Sequence, residues 1–136
     1  MNTNFDPRET MKTLNTPYAN FELIDDILMI EFKPDLEITL DVAKRIVADR
    51  KAISDGKAYP GLGDVRYVKS ASKEARAYFE LPESQNGVLA GALLVDSVFS
   101  TFLVNFFLKV TKQKMPSKMF TDKQKALKWL AQFKSK

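Results

Sequence analysis

The sequence has no cysteine and no histidine among its 136 residues. The absence of cysteine excludes disulfide bonds, thiolate nucleophiles and cysteine-based zinc sites. The absence of histidine removes the most common general base and the most common metal ligand. Hydrolases that depend on a serine–histidine or cysteine–histidine pair are therefore excluded, and we expect neither a metal nor a cofactor.

Glycine is also scarce, with five residues in the chain. Gly61 and Gly63 are not followed by a third glycine, a lysine or an immediate helix, so they do not form a phosphate-binding loop. Carboxylate pairs for acid–base chemistry are weak candidates. The acids at 25–26 are typical of an exposed turn, and Asp64 can meet Asp96 only where two strand ends are neighbours. We therefore expect no enzymatic activity.

One long apolar stretch covers residues 87–109 and is interrupted by a single charge, at Asp96. A continuous helix of this length could cross a membrane. An aspartate near the middle of a spanning helix costs about 2.5 to 3.5 kcal/mol, whereas Asp96 or Ser97 can cap a helix that follows a strand. We therefore predict a buried strand over residues 88–95, a turn, a buried helix over residues 98–110, and no membrane span.

The length and the 45% share of hydrophobic residues fit one buried core rather than two. Residues 1–17 are polar and lack the basic, apolar and small-residue pattern of a secretory signal. We predict a poorly ordered segment over residues 1–17, a single domain over residues 18–136, and a cytoplasmic location.

Positive charge is concentrated at the end of the chain. Residues 1–108 carry 12 lysines and arginines against 16 acids, and residues 109–136 carry nine lysines against one acid. Solvated helix faces and helix C-termini account for such lysines. The alternative is docking to an anionic membrane surface or nucleic acid through Lys112, Lys114 and Lys118. Because this segment has no arginine for two-point contacts with bases or phosphates, nucleic acid is not the expected partner.

Periodicity predicts the remaining elements. Two β-prone runs, 21–24 and 27–32, indicate a hairpin. Residues 40–53 place apolar side chains at helical spacing with charges opposite them, and Thr39 is the expected N-cap. The order is completed by a strand over 59–66, a helix over 73–80 capped by Ser72, a strand over 118–120, and a final helix capped by Thr121 or Asp122. This order predicts an α/β fold, in which about four helices cover a mixed sheet of about five strands with an antiparallel hairpin at its start.

The element order and the segment LGDVRYVKSAS at residues 62–72 resemble the STAS domain of bacterial anti-sigma-factor antagonists, the SpoIIAA-like group. The segments FKPDLEITLDVAKRIVADR, GDVRYVKSASKEARAYF and MPSKMFTDKQKALKWLAQF are similar to a family of small, uncharacterised bacterial proteins with this fold. The resemblance covers residues 18–134 and implies a regulatory or scaffold module that works by binding.

One position departs from the antagonists, which carry a phosphorylatable serine directly after the capping aspartate of the second helix. Here Ser72 occupies the capping position and Lys73 follows it. The resemblance therefore does not carry a phosphorylation switch to the usual place. Ser70 and Ser72 are the alternative candidates for phosphorylation, although a hydroxyl at a helix start is ordinarily a cap.

A ligand site in an open α/β sheet lies outside the carboxyl ends of its parallel strands, where helix N-termini also gather. Arg66 together with unpaired N–H groups can hold a small anion there. Each residue at this edge also has a structural alternative, as a helix cap or an ion-pair partner. The candidate ligand-binding residues are Asp64, Arg66, Ser70, Ser72, Asp96, Ser97 and Thr121.

Three functional hypotheses follow from these observations. The first is a noncatalytic module that binds a protein partner or a second copy of itself, because the helix over 98–110 is apolar nearly all round. The second is a sensor that binds a small anion or apolar molecule at the carboxyl edge of the sheet. The third is electrostatic docking of the lysine-rich end. The candidate interaction surface comprises Phe107, Leu108, Lys112, Lys114 and Lys118.

Overall fold

The computed structural model describes residues 11–96 and 115–135 of the chain. Six strands form one mixed sheet, in which the first three pair antiparallel and the last three continue from the third in parallel. In spatial order these strands are β1 (Lys12–Asn15), β2 (Ala19–Ile24), β3 (Ile27–Phe32), β5 (Tyr59–Asp64), β7 (Val88–Leu94) and β8 (Ser117–Phe120). Two short strands, β4 (Glu37–Ile38) and β6 (Ser70–Ala71), form a separate parallel pair.

Four α-helices belong to the described part of the chain. Helix α1 lies between β4 and β5, helices α2 and α3 lie between β6 and β7, and helix α4 follows β8 and continues into a 3-10 turn at Ala131–Phe133. Their bounds are Leu40–Ser54 for α1, Lys73–Phe79 for α2, Pro82–Gln85 for α3 and Lys123–Leu130 for α4.

The predicted fold class is confirmed: an antiparallel hairpin leads into a largely parallel sheet with helices on its faces. Four elements differ from the expectation, namely β1, the short paired strands β4 and β6, and helix α3. Strand β1 lies inside the stretch predicted as a polar, loop-like segment, and it adds a sixth strand at the sheet edge by pairing Leu14 with Phe21. The short helix α3 was not predicted. The helix predicted over residues 98–110 lies outside the described residues.

Local chemistry accounts for the turns and helix ends. Asp25 and Asp26 both have positive φ, 53° and 62°, as a two-residue type I′ hairpin turn requires, and aspartate tolerates this region better than most residues. The Thr39 hydroxyl accepts a hydrogen bond from the Val42 N–H at 3.3 Å, which confirms the predicted cap of α1. The helix ends at Asp55 in the left-handed region.

Hydrophobic clusters cover both faces of the sheet. On one face, α1 and α2 pack on side chains that include Phe21, Leu28 and Val65. On the other face, Ala126 and Leu130 of α4 pack on Leu62 and Leu94, and Trp129 lies between the rings of Phe120 and Phe133 at centroid distances of 5.7 and 4.8 Å. The sheet is therefore the middle layer. The edge formed by the carboxyl ends of its parallel strands is followed by loops.

The apolar stretch at residues 87–109 is not one continuous helix, because its first part is strand β7. Ala90, Ala92 and Leu94 of this strand are buried at 0–1% exposure. Within the described residues, the structure has no helix that is long and apolar enough to span a membrane.

Candidate functional site

The carboxyl ends of three adjacent parallel strands bring the predicted edge residues together. Asp64 ends β5 in register with Leu94 of β7, and Leu94 is in register with Phe120 of β8. Thr121 directly follows β8, Asp96 follows β7 after Val95, and both are exposed. Of the predicted ligand-binding residues, Asp64, Arg66, Asp96 and Thr121 thus follow neighbouring strand ends, as the alternating order of strands and helices requires.

Asp64 and Arg66 form a two-point ion pair at this edge. Arg66 Nε donates to Asp64 Oδ1 at 2.9 Å, Arg66 Nη2 donates to Oδ2 at 2.8 Å, and the Arg66 backbone N–H also donates to Oδ1 at 3.2 Å. The hydrogen bonds with Asp64 raise the pKa of Arg66, and the Asp96 carboxylate acts in the same direction. The structural alternative stated for these residues, a mutual ion pair, is therefore the arrangement observed.

The loop after β5 is fixed by buried side chains and backbone hydrogen bonds. Val65 and Val68 are 1% and 5% exposed. The carbonyl of Tyr67 accepts a hydrogen bond from Asp35 N–H at 2.8 Å, and Lys69 N–H donates to the Leu36 carbonyl at 2.9 Å. Because both ends are held in this way, the residues between the valines keep a defined orientation.

The Tyr67 side chain projects outward from this loop and is 53% exposed, the largest value among the exposed large hydrophobic residues of the described chain. The guanidinium carbon of Arg66 lies 5.4 Å from the centre of the Tyr67 ring, within cation–π distance. Tyr67 was not among the predicted site residues. Its signal in the sequence is the spacing, since Val65 and Val68 point inward and leave residues 66 and 67 outside.

The serines and the threonine of the predicted site have structural roles or lie apart from the ion pair. Ser72 Oγ accepts a hydrogen bond from Ala75 N–H at 3.0 Å and is the N-cap of α2, as predicted. Ser70 is an exposed residue of β6. The cap of α4 is Asp122 rather than Thr121, because Asp122 Oδ1 accepts from Gln124 N–H at 2.8 Å. Ser97 lies outside the described residues.

Most of the predicted interaction surface also falls outside the described residues, namely Phe107, Leu108, Lys112 and Lys114. Lys118 is described: it is an exposed residue of β8, and its Nζ lies 5.4 Å from the centre of the Phe120 ring. Strand β8 is the last strand of the sheet as described.

A shallow depression of about 80 Å³ lies beside the ion pair on the α4 face of the sheet. Its charged lining residues are of both signs: Glu22, Glu31, Asp64, Arg66 and Lys123. Within the described part of the chain, no group of three or more acidic side chains has the arrangement of a metal site. A depression lined by both positive and negative side chains is better suited to several complementary polar contacts with a larger partner than to binding one small ion.

An apolar groove of about 160 Å³ lies on the opposite face, between α1, α3 and the sheet, over Gly61, Gly63 and Gly91. Met115 also lines it. Met115 directly follows residues 97–114, which the structure does not describe, and no ligand is assigned to the groove.

Arg50 was missed by the sequence reasoning. Its charge placed it on the solvated side of α1, but the structure buries it at 6% exposure. The signal was its helical spacing, four residues after buried Ile46 and three before buried Ile53. Its partners are the carbonyls of Ser84 and Asn86.

Two solved structures are similar to this chain. A protein of the DUF3478 family from Shewanella loihica PV-4, described as uncharacterised and as having a SpoIIAA-like fold, superposes with a TM-score of 0.58 at 14% identity, covering 89% of this chain and 92% of that one. A protein with unknown function from Arthrobacter sp. FB24 is 31% identical over 82% of this chain and 97% of that one, with a TM-score of 0.32.

The first similarity confirms the predicted SpoIIAA-like fold. None of the functionally curated proteins matches the sequence. A family model described as "Domain of unknown function (DUF7793)" matches residues 21–134, which is most of the chain. The chain therefore belongs to the DUF7793 family.

Proposed function

We propose that this chain is a noncatalytic regulatory or scaffold module that acts by binding a protein partner at the carboxyl edge of its sheet. The observation that carries the proposal is Tyr67, a half-exposed aromatic residue on a loop fixed at both ends, with the Arg66 guanidinium over its ring. Tyrosine and arginine are enriched among the residues that contribute most to protein–protein binding. A fixed loop also loses little conformational entropy on binding.

The neighbouring charges support a protein as the ligand. Glu22 and Glu31 lie on one side of the Asp64–Arg66 pair, with Lys123 of α4 near them. A partner that covers Tyr67 would meet both signs of charge around an aromatic centre. Interfaces of this kind have an apolar core and a polar rim.

The ion pair also supports a noncatalytic role. Two hydrogen bonds from the Arg66 side chain hold the Asp64 carboxylate. A general base needs a carboxylate oxygen that can reach and accept a substrate proton, and both carboxylate oxygens of Asp64 already accept hydrogen bonds from Arg66. The SpoIIAA-like fold is consistent with a regulatory role, which we carry over to this chain as part of the proposal.

Small-ligand sensing at this edge is the alternative. The same ion pair weighs against an anion as the ligand, because two donors of the Arg66 guanidinium already bind Asp64. A protein partner does not need free donors on Arg66, since Tyr67 and the charged residues around the ion pair provide the contact.

The test compares three baits made from the full chain: wild type, Tyr67→Ala, and Leu81→Ala as a control with an exposed apolar side chain on another loop, 43% exposed. Each is immobilised and exposed to lysate of the native host, and bound proteins are quantified by mass spectrometry. We expect at least one protein that binds wild type and Leu81→Ala equally and Tyr67→Ala about tenfold less. Equal recovery on all three baits would contradict the proposal.

Light scattering on the purified chain separates a second copy from a different partner. Wild type is expected to be monomeric. A dimer that dissociates in the Tyr67→Ala variant would assign the surface to self-association instead.

A further inference from the structure

A buried arginine lies at the amino edge of the sheet, opposite the proposed protein-binding loop. Arg50, in the last turns of α1, is 6% exposed. Its Nη2 donates to the carbonyls of Ser84 and Asn86 at 3.2 and 2.9 Å. Within the described part of the chain no carboxylate pairs with it, because its side-chain hydrogen bonds go to these two carbonyls alone.

The guanidinium borders an open depression of about 300 Å³. Two further cations, Lys51 and Lys57, line this depression, and both are exposed. The other lining residues are neutral: Ser54, Gly56, Ala58, Asn86 and Gly87. The nearest acids along the chain are Asp49, Asp55 and Glu83, and none of them is part of the lining. Asp49 pairs with Arg45 at 3.1 Å. Three positive charges therefore face one space that no acidic side chain shares.

Two glycines with positive φ line this space. Gly87 has a φ of 94°, and a Cβ atom placed there would lie 3.3 Å from Arg50 Nη1. Gly56, with a φ of 77°, faces open space on the other side. Glycine at these two positions fits the left-handed conformation, and at Gly87 it also avoids a close contact between a Cβ atom and Arg50 Nη1.

The energetics favour an anion in this space. Burial lowers the pKa of Arg50, and the neighbouring Tyr78 hydroxyl acts in the opposite direction. Carbonyl dipoles offset only part of the cost of removing a guanidinium from water, and buried charges are ordinarily paired with an opposite charge. Two lysines beside the guanidinium add repulsion that an anion would relieve.

We propose that this depression, the Arg50 pocket, binds the phosphate group of a small phosphorylated molecule. A guanidinium presents paired donors that match phosphate oxygens, and lysine ammonium groups add point charges around it. Three cations suit a group that carries nearly two negative charges better than they suit a single carboxylate. The open side of the depression leaves room for the rest of the molecule. The site is separate from the Tyr67 loop, so the two proposals stand or fall independently.

The test is calorimetric titration of the full chain with inorganic phosphate and with phenyl phosphate at constant ionic strength. We expect saturable binding with one site per chain and a dissociation constant of about 1 mM or lower for inorganic phosphate, with phenyl phosphate at least as tight. Lys51→Gln and Lys57→Gln are each expected to weaken binding about threefold, and the double variant about tenfold. Both lysines are exposed, so these variants should fold normally.

The matched control is Lys44→Gln, an exposed lysine of the same helix outside the pocket, and it should bind like wild type. Arg50→Gln should lose binding altogether, with its fold checked by circular dichroism. The proposal is overturned if no saturable heat is seen up to about 20 mM phosphate. It is also overturned if Lys44→Gln weakens binding as much as Lys51→Gln and Lys57→Gln do. Tighter binding of inorganic phosphate than of phenyl phosphate would overturn it as well.

Discussion

Arg66 and Asp64, two residues apart, form a two-point ion pair that closes the turn at the end of strand β5, with Nη2–Oδ2 and Nε–Oδ1 distances of 2.8 and 2.9 Å. The pair is partly buried: the Asp64 side chain is 12% exposed and that of Arg66 is 33% exposed. The same guanidinium lies 5.4 Å from the centre of the exposed Tyr67 ring, so the ion pair and the aromatic contact share Arg66.

The first prediction concerns the strength of this pair. Asp64→Asn and Arg66→Gln should each lower the free energy of unfolding by about 1 kcal/mol, and the double variant should lose less than the sum, because both changes remove the same interaction. Urea denaturation of the four proteins gives the coupling energy, which we expect to be about 0.5 to 1 kcal/mol. Strict additivity would show that the two side chains do not interact in solution.

The second prediction separates the two serines of the loop that leads into α2. Ser72→Ala removes the hydroxyl that accepts from Ala75 N–H and should cost about 1 kcal/mol of unfolding free energy. Ser70→Ala changes an exposed residue of the short strand β6 and should stay within about 0.5 kcal/mol of wild type. Thermal or urea unfolding distinguishes them, and equal effects would contradict a capping role specific to Ser72.

The third prediction concerns the hairpin turn between β2 and β3. Both turn residues have positive φ, a conformation that glycine adopts without strain. Asp26→Gly should therefore raise the free energy of unfolding by about 0.5 to 1 kcal/mol. Asp26 is the residue to change because Asp25 Oδ2 accepts a hydrogen bond from Lys134 Nζ at 2.8 Å in an ion pair. A loss of stability in Asp26→Gly would show that its side chain makes a contact worth more than the relieved strain.

The fourth prediction compares two arginines of helix α1. Arg50→Met leaves the Ser84 and Asn86 carbonyls without their donor and should cost about 2 kcal/mol. Arg45→Met breaks only an exposed pair with Asp49 on the same helix and should cost less than about 0.5 kcal/mol. Chemical denaturation in buffer free of phosphate measures both. Similar losses would mean that Arg50 does not hold the loop before β7.

The sequence predicted those features whose causes are local. The caps at Thr39 and Ser72 and the turn at residues 25–26 depend on a few adjacent side chains, and all three are confirmed. The strand within the long apolar stretch is also confirmed, because a run covered on both faces has a distinctive composition.

Features set by distant contacts were missed. Strand β1 is mostly exposed and polar, so its pairing with β2 left no alternating pattern to detect. The burial of Arg50 depends on carbonyls more than 30 residues away in the chain, at Ser84 and Asn86. The exposure of Tyr67 depends on the burial of Val65 and Val68 against other elements, so their spacing in the sequence was only a partial signal.

The most direct test of the central claim is the dissociation constant between the purified full chain and the protein captured in the bait experiment, measured for wild type, Tyr67→Ala and Leu81→Ala. Binding through the carboxyl-edge loop predicts that Tyr67→Ala weakens the affinity by a factor of ten or more, about 1.4 kcal/mol, while Leu81→Ala binds like wild type. An affinity of Tyr67→Ala equal to that of wild type would contradict it.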